Sequence, residues 1–328
     1  MYSRRAFTFG MAAILSAPAI LHAKTPTLDA LQAAAAGFKQ LRTLSVRRGD
    51  QTVFSQAFHG ADLSRAANIK SCSKSVVALL LGTAIAKGEI ASLSARLGDV
   101  APELIPSGAT EGASDLTMED LVTLRGGLQS TSGGNYGQWV GSGNWVAYAL
   151  RQPRISPNGA RMIYSTGTTH VLGAVLARVT GKSLLQLARE RLGQPLDMEI
   201  PPWTRDPQGR YFGGNEMALQ PQGMLRLAML MRDDGRYGGQ QVIDPAWIAA
   251  SRNARTQSPY SGLGYGYGWF VAPSGWVLAR GYGGQIIAAH PERSLAVAIT
   301  SDPTLPARSG GYFGDLMQLI EGEISALG

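Results

Sequence analysis

Ser71-Cys72-Ser73-Lys74 stands immediately before a strongly apolar segment, Val76 to Ile85, that closes at Gly88. Helical winding from Ser71 places Ser71 and Lys74 three residues apart on one face, side by side. A serine alkoxide is too basic to form unaided near neutrality, so a nucleophilic serine needs an adjacent base. A lysine desolvated against an apolar helix can lose its proton and act as that base. The helix start adds free backbone N–H groups and the positive end of the dipole, both of which favour negative charge on a reacting oxygen. A serine ahead of an apolar run can also be a plain N-cap. Two features weigh toward chemistry: this is the only S-x-x-K in the chain, and a lysine in a first helical turn opposes the dipole instead of serving it.

Tyr164-Ser165-Thr166 follows about ninety residues later, at the start of another helical stretch. Tyr164 is a phenol that can move a proton between Ser71, Lys74 and a leaving group if a nearby ammonium lowers its pKa; packing at the helix start is the alternative. The glycine-rich loop from Ser130 to Trp145 carries Tyr136, Trp139 and Trp145. Aromatics on such a loop suit an apolar acyl chain or ring, with ordinary loop packing as the other reading. Competing chemistries lack their residues. His22, His59, His170 and His290 have no zinc-ligand spacing, and neither a G-x-S-x-G elbow nor a phosphate-cradling loop is present. No metal or cofactor is implied. Cys72 adjoins Ser71 but faces another side of the helix, where a buried thiol packs as a small apolar group.

These residues need a scaffold, and the chain has the material for one. It has 328 residues, 45% apolar and 16% charged, enough for one large core or two packed lobes. Leu28 to Leu41 reads as a helix, and Thr43 to Arg48 with Thr52 to Phe58 as a hairpin around Gly49-Asp50. Helices separated by glycine-rich loops run from Ser71 to about Met231. Strands return at Tyr265 to Ala272, Trp276 to Arg280, Gln285 to His290 and Leu295 to Ser301, before an amphipathic helix from about Gly311 to Leu327. Ser183 and Gln186 form a capping box, and Gly181 ends the helix before it. The pattern predicts an α+β fold: an antiparallel sheet from about 40–60 and 262–302 flanked by helices, with an inserted helical lobe over about 71–260 and a cleft between. Residues 24–328 are expected to form a single catalytic domain.

Ser3-Arg4-Arg5-Ala6-Phe7 followed by an apolar run from Met11 to Leu21, with small residues before Lys24, is similar to a twin-arginine export signal over residues 1–23. That run is too short for a helix of about 20 residues to span a bilayer, so export to the periplasm without a permanent membrane span is expected. Setting Arg4 and Arg5 aside leaves 28 basic against 23 acidic residues, a mild and scattered surplus that argues against nucleic acid as a partner. One cysteine excludes an intramolecular disulfide.

Taken together, Ser71-x-x-Lys74 before a buried helix and Tyr164-Ser165-Thr166 at a later helix start resemble the first two motifs of class C β-lactamases and their esterase and amide-hydrolase relatives. Leu116-Thr117-Met118-Glu119-Asp120-Leu121, Pro157-Asn158-Gly159, Val179-Thr180-Gly181-Lys182-Ser183-Leu184 and Gln220-Pro221 extend the likeness over nearly the whole mature chain. The resemblance implies a β-lactamase/transpeptidase-like fold and a serine hydrolase cleaving a small ester or amide through an acyl-enzyme on Ser71. It also implies a third motif, best matched by Ala279-Arg280-Gly281, with Tyr282 N–H and Ser71 N–H holding the oxyanion, or Gly283 N–H if the register slips. Ala279 cannot supply the cation that β-lactamases and carboxypeptidases direct at a substrate carboxylate, although Arg280 is a partial substitute. Gly281-Tyr282-Gly283-Gly284-Gln285, and Thr166 in place of the usual asparagine, look more like the branch of 6-aminohexanoate-dimer hydrolases and carboxylesterases. Thr166 and Arg280 join Tyr136 and Trp139 as expected substrate contacts. A β-lactamase, a D-Ala-D-Ala carboxypeptidase and a penicillin-binding sensor that acylates without turnover remain alternatives.

Overall fold

The computed structural model describes residues 28–328. The export signal expected over 1–23 lies outside the described residues. Eight strands form one antiparallel sheet: β1 (Leu41–Arg48), β2 (Gln51–Ala57), β3 (Thr256–Gln257), β4 (Gly264–Tyr265), β5 (Phe270–Val271), β6 (Val277–Arg280), β7 (Ile286–His290) and β8 (Leu295–Ser301), in the order β2-β1-β8-β7-β6-β5-β4-β3. The C-terminal strands are a meander, and the N-terminal hairpin joins it where Val46 pairs with Val297. The chain ends therefore meet in one sheet, and everything between them is free to build a separate layer.

Strands β7 and β8 are buried along their whole length because helices cover both faces of the sheet, which is why residues 286–289 and 295–299 read as apolar runs. Side chains still alternate. Leu295, Val297 and Ile299 pack with Leu31, Leu316 and Ile320 of the terminal helices, whereas Ala296 and Ala298 face the helical layer. The small alanines let the Pro221–Arg232 helix lie close on β7 and β8. At the centre of the helical layer the Ser73–Ala86 helix is buried from Ser73 through Ala84, as a helix apolar on every side must be. Gly82 makes room there: a Cβ would stand 2.6 Å from the Trp247 ring.

Two segments differ from the expected elements. Tyr265 to Ala272 is not one strand, because Gly266–Gly268 turns between β4 and β5, and the sheet begins at Thr256 instead of about 262. A Cβ on Gly268 would fall 2.4 Å from that of Ala78, so the turn presses against the central helix, and Ser75 Oγ donates to Gly268 O at 2.6 Å. The C-terminal helix winds regularly only over Tyr312–Leu319 before a π-helical turn at Ile320–Ile324. Among the described residues no single helix is long and apolar enough to cross a membrane.

Candidate active site

Ser71 lies in a short 3-10 turn, Lys70–Cys72, that leads into the central helix. Lys70 is held at φ 49°, a strained value for a residue with a side chain. Surrounding contacts hold it there: Lys70 N–H donates to Asn68 Oδ1 at 2.9 Å, Lys70 Nζ pairs with Glu216 Oε1 at 3.0 Å, and Asn68 Nδ2 donates to Glu216 Oε2 at 2.6 Å. Ser73 Oγ completes the brace by donating to Lys70 O and accepting Met217 N–H. The result is a rigid turn that presents Ser71, partly exposed, to a cavity of about 800 Å³.

One helical turn on, Lys74 is 3% exposed. Its Nζ donates to Ser71 Oγ at 3.0 Å, Thr166 Oγ1 at 3.2 Å and Gly214 O at 2.7 Å. Burial pulls its pKa from 10.5 down to about 7, because removal from water penalises the ammonium more than the amine. The same shift makes stability depend on pH. Between about pH 7 and 10.5 the unfolded lysine carries a proton that the folded one has lost, so stability rises with pH across that window. Below it both states are protonated and the burial penalty is full. Melting temperatures from pH 7 to 10 are expected to climb in the wild type relative to Lys74→Met; parallel curves would contradict this.

Tyr164 lines the cavity beside Ser71, and Lys74 Nζ sits 4.9 Å from the centre of its ring. Burial pushes its pKa up to about 12, against the opposing pull of a hydrogen bond with Ser71 and the Arg280 charge. The condition of a lowered pKa is therefore not met: desolvation of the phenolate outweighs the Arg280 cation, and Tyr164 is a neutral donor in the resting site. The Thr166–Thr180 helix that follows has its first N–H groups satisfied from outside. Ser132 Oγ accepts from Thr166 N–H and Thr131 Oγ1 from Gly167 N–H, while Ser130 Oγ donates to Tyr164 O. Ser130-Thr131-Ser132 is thus a hydroxyl cradle that positions Tyr164.

The third predicted motif closes the cavity. Gly281 follows β6 and approaches the nucleophile turn so closely that a Cβ would meet Ile69 O at 2.6 Å. Gln285, wholly buried, accepts Gly283 N–H at 3.0 Å and donates to Ser301 O at 3.0 Å. Gly283 N–H is therefore already used, which corrects the slipped-register alternative. Among the described residues neither Ser71 N–H nor Tyr282 N–H has a protein acceptor, as a donor pair for a reacting oxygen requires. The Tyr282 side chain is 56% exposed at the cavity rim.

Of the expected substrate contacts, Tyr136 and Arg280 line the cavity. Tyr136 OH accepts from Asn215 Nδ2 at 3.0 Å. Arg280 donates to Ser309 Oγ and Ala307 O, and its guanidinium lies 3.5 Å over Phe313. Thr166 also reaches the cavity, but its hydroxyl is taken by Lys74 and Ser132. Trp139 does not reach it: wholly buried, it packs with Trp145, Phe212 and His170 and donates Nε1–H to Trp145 O. Two short helices, Tyr136–Val140 and Trp145–Leu150, fold that stretch back on itself, so of Tyr136, Trp139 and Trp145 only Tyr136 lines the cavity. Trp139→Ala is expected to cost roughly 3–5 kcal/mol of stability with KM unchanged, read by chemical denaturation beside steady-state kinetics. Sequence reasoning missed Gly214, Asn215 and Glu216, whose polar, glycine-containing run was the available signal. Cys72 is buried, its thiol pKa pushed up by desolvation, and its Sγ–H points to Gln285 O.

The sheet with its flanking helices and the serine–lysine–tyrosine cluster at the layer junction define a protein of the β-lactamase/transpeptidase fold. The sequence profile described as Beta-lactamase matches residues 34–313, and the chain belongs to that family. No curated protein sequence matches it. Among solved structures, a penicillin-binding protein homologue from Caulobacter crescentus is similar with a TM-score of 0.74, at 18% identity over 92% of this chain and 96% of that one. A provisionally assigned 6-aminohexanoate-dimer hydrolase from Bacillus anthracis has a TM-score of 0.74, at 17% identity over 88% and 80% of the two chains. EstCE1, described as a hydrolase with promiscuous acyltransferase activity, has a TM-score of 0.72, at 17% identity over 91% and 97%. At these identities the likeness is one of fold.

Proposed function

We propose that the chain is an exported serine hydrolase that cleaves a small ester or amide through an acyl-enzyme on Ser71. The observation that carries this reading is the 3.0 Å contact between Ser71 Oγ and a buried Lys74 whose pKa lies near 7. Neutral Lys74 takes the hydroxyl proton as Oγ attacks the carbonyl carbon, and the N–H groups of Ser71 and Tyr282 receive the oxyanion. Tyr164, protonated at rest, gives its proton to the leaving oxygen or nitrogen and is reprotonated from the Lys74 ammonium. A water molecule then attacks the acyl carbonyl with Lys74 again as base, and the Lys74 ammonium returns that proton to Ser71 Oγ as the acid is released. Tyr136, Tyr260, Phe270 and Tyr282 line much of the cavity and favour an apolar or aromatic acyl group.

Hydrolysis of a p-nitrophenyl ester by the mature protein, abolished in Ser71→Ala, is the expected result. Equal turnover by both proteins would refute the mechanism. Arg280 on the cavity wall favours a second reading, hydrolysis of a carboxylate-bearing β-lactam or D-Ala-D-Ala peptide, which parallel assays with nitrocefin and such a peptide test. A stable adduct without turnover would instead mark a sensor. Export rests on Arg4-Arg5 and the apolar run after them; recovery of a periplasmic chain shortened near Ala23 is expected, and retention of full-length protein in the cytoplasm would refute it.

A further inference from the structure

Behind the cavity, and not lining it, lies a wholly buried ionisable pair: His170 Nε2 stands 3.1 Å from Asp206 Oδ2, with both side chains inaccessible to solvent. The other ring nitrogen, Nδ1, accepts Gly213 N–H at 3.2 Å. An N–H can point only at a lone pair, so Nδ1 is bare and the proton sits on Nε2, donated to Asp206. Asp206 is fixed in turn by the N–H groups of Gln208 and Arg210 at Oδ1, and by the Arg210 guanidinium 3.5 Å from Oδ2.

The peptide so anchored is the one that leads to Lys74. Gly214, the next residue, offers its carbonyl to Lys74 Nζ at 2.7 Å, shorter than either hydroxyl contact of that amine. Gly213 and Gly214 lie flat on the Thr166–Thr180 helix: a Cβ on Gly213 would meet Thr169 O at 2.7 Å, and one on Gly214 would meet Thr166 O at 2.9 Å. One helix therefore carries, a single turn apart, Thr166 that touches Lys74 directly and His170 that holds the peptide run supplying its third partner.

We propose that His170 is a positioning residue for Lys74, acting through the Gly213–Gly214 backbone to hold the amine against Ser71. The inference rests on Lys74 being the base. A proton on Nδ1 would face Gly213 N–H donor to donor and release the anchor. The surroundings keep that proton off. Burial lowers the His170 pKa despite the Asp206 carboxylate, and Arg210 opposes a second charge. Trp139, Trp145 and Phe212 around the ring are uncharged. Lys74 on the nucleophile helix lies beyond the glycines, and on the Met118–Val122 helix Glu119 pairs with Arg125 while Asp120 caps at Thr117.

His170→Phe keeps an aromatic volume and removes the acceptor; His170→Asn keeps a short acceptor able to take Gly213 N–H. Rates are to be normalised to sites that accept a fluorophosphonate, so that misfolded protein does not count. Per site, His170→Phe is expected to lose about tenfold or more in acylation rate, since small misplacements of a reacting group carry such penalties, with KM little changed. Loss of the Gly214 acceptor also disfavours the ammonium, so the acid limb of the rate profile moves below its wild-type position near pH 7. His170→Asn is expected to stay close to wild type in both. An unmoved limb and a wild-type rate per site in His170→Phe, with only fewer active sites, would overturn the proposal and leave His170 a folding role. In the wild type, nitrogen-15 imidazole spectra are expected to show His170 neutral with the proton on Nε2 from pH 6 to 8. An Nδ1–H tautomer or titration in that range would overturn it even if the variants do not fold. Turnover that survives Ser71→Ala would reject the proposed chemistry, whereas these spectra test the anchor itself.

Discussion

Replacing Lys74 with methionine is expected to slow acylation by roughly 10²–10⁴-fold, the usual span for removing a general base, while leaving the protein folded and more stable near neutral pH. Methionine fills the lysine stem's space and needs no proton. The wild-type site buries an amine with three acceptors at 2.7–3.2 Å, and burial alone brings its pKa down to about 7. Such a lysine is a base poised at the working pH and an ammonium the fold disfavours, so one substitution moves activity and stability in opposite directions. In the wild type kcat/KM should rise through about pH 7 as Lys74 deprotonates; in Lys74→Met the residual rate should lack that limb. Stopped-flow acylation across pH 5–9 and calorimetry on the same samples read both effects. A variant acylating at the wild-type rate, or retaining the limb near pH 7, would assign the base elsewhere.

Gly281→Ala is expected to lower kcat by roughly 10²–10³-fold, as removal of one oxyanion donor does, with the fold intact by circular dichroism. The single methyl would enter a space where Ile69 O is 2.6 Å, Gln285 Oε1 2.8 Å and Lys70 Cβ 3.0 Å from its position. Backbone oxygen cannot rotate away as a side chain can, so the Gly281–Tyr282 peptide must retreat from the Ser71 turn and carry its N–H with it. Because the lesion affects the reacting oxygen more than the ground-state substrate, KM should change far less than kcat. Turnover in a folded Gly281→Ala close to wild type would show that Tyr282 N–H is not the donor.

How far the residues foretell this arrangement depends on the range of the forces that set it. The Ser183–Gln186 capping box, the Gly181 helix end and the strand at Leu295–Ser301 are legible because each is decided within a few residues. Ser71 and Lys74 are legible for the same reason: one helical turn fixes their separation. Trp139 misleads because its burial depends on Phe212 and His170, remote in sequence, and a glycine-rich loop carries no sign that two short helices will fold it inward. The Gly213–Gly214 run is a bare turn signal until the Thr166–Thr180 helix lies beneath it. Tyr164 teaches the same about charge. A neighbouring ammonium can be inferred from motif spacing, but the desolvation that raises the phenol's pKa needs the packed cavity wall. The break at Gly266–Gly268 follows from Ala78 and Ser75 pressing on that turn, contacts that no periodicity contains.

The central claim, covalent chemistry at Ser71, is tested most directly by rapid-quench mass spectrometry of the mature protein mixed with a p-nitrophenyl ester, followed by peptide mapping. The expected result is a transient mass increase of one acyl group on the peptide holding Ser71, forming as fast as the p-nitrophenol burst and absent from Ser71→Ala. Ester turnover with no acyl group on that peptide, or with the acyl group on another residue, would contradict the account.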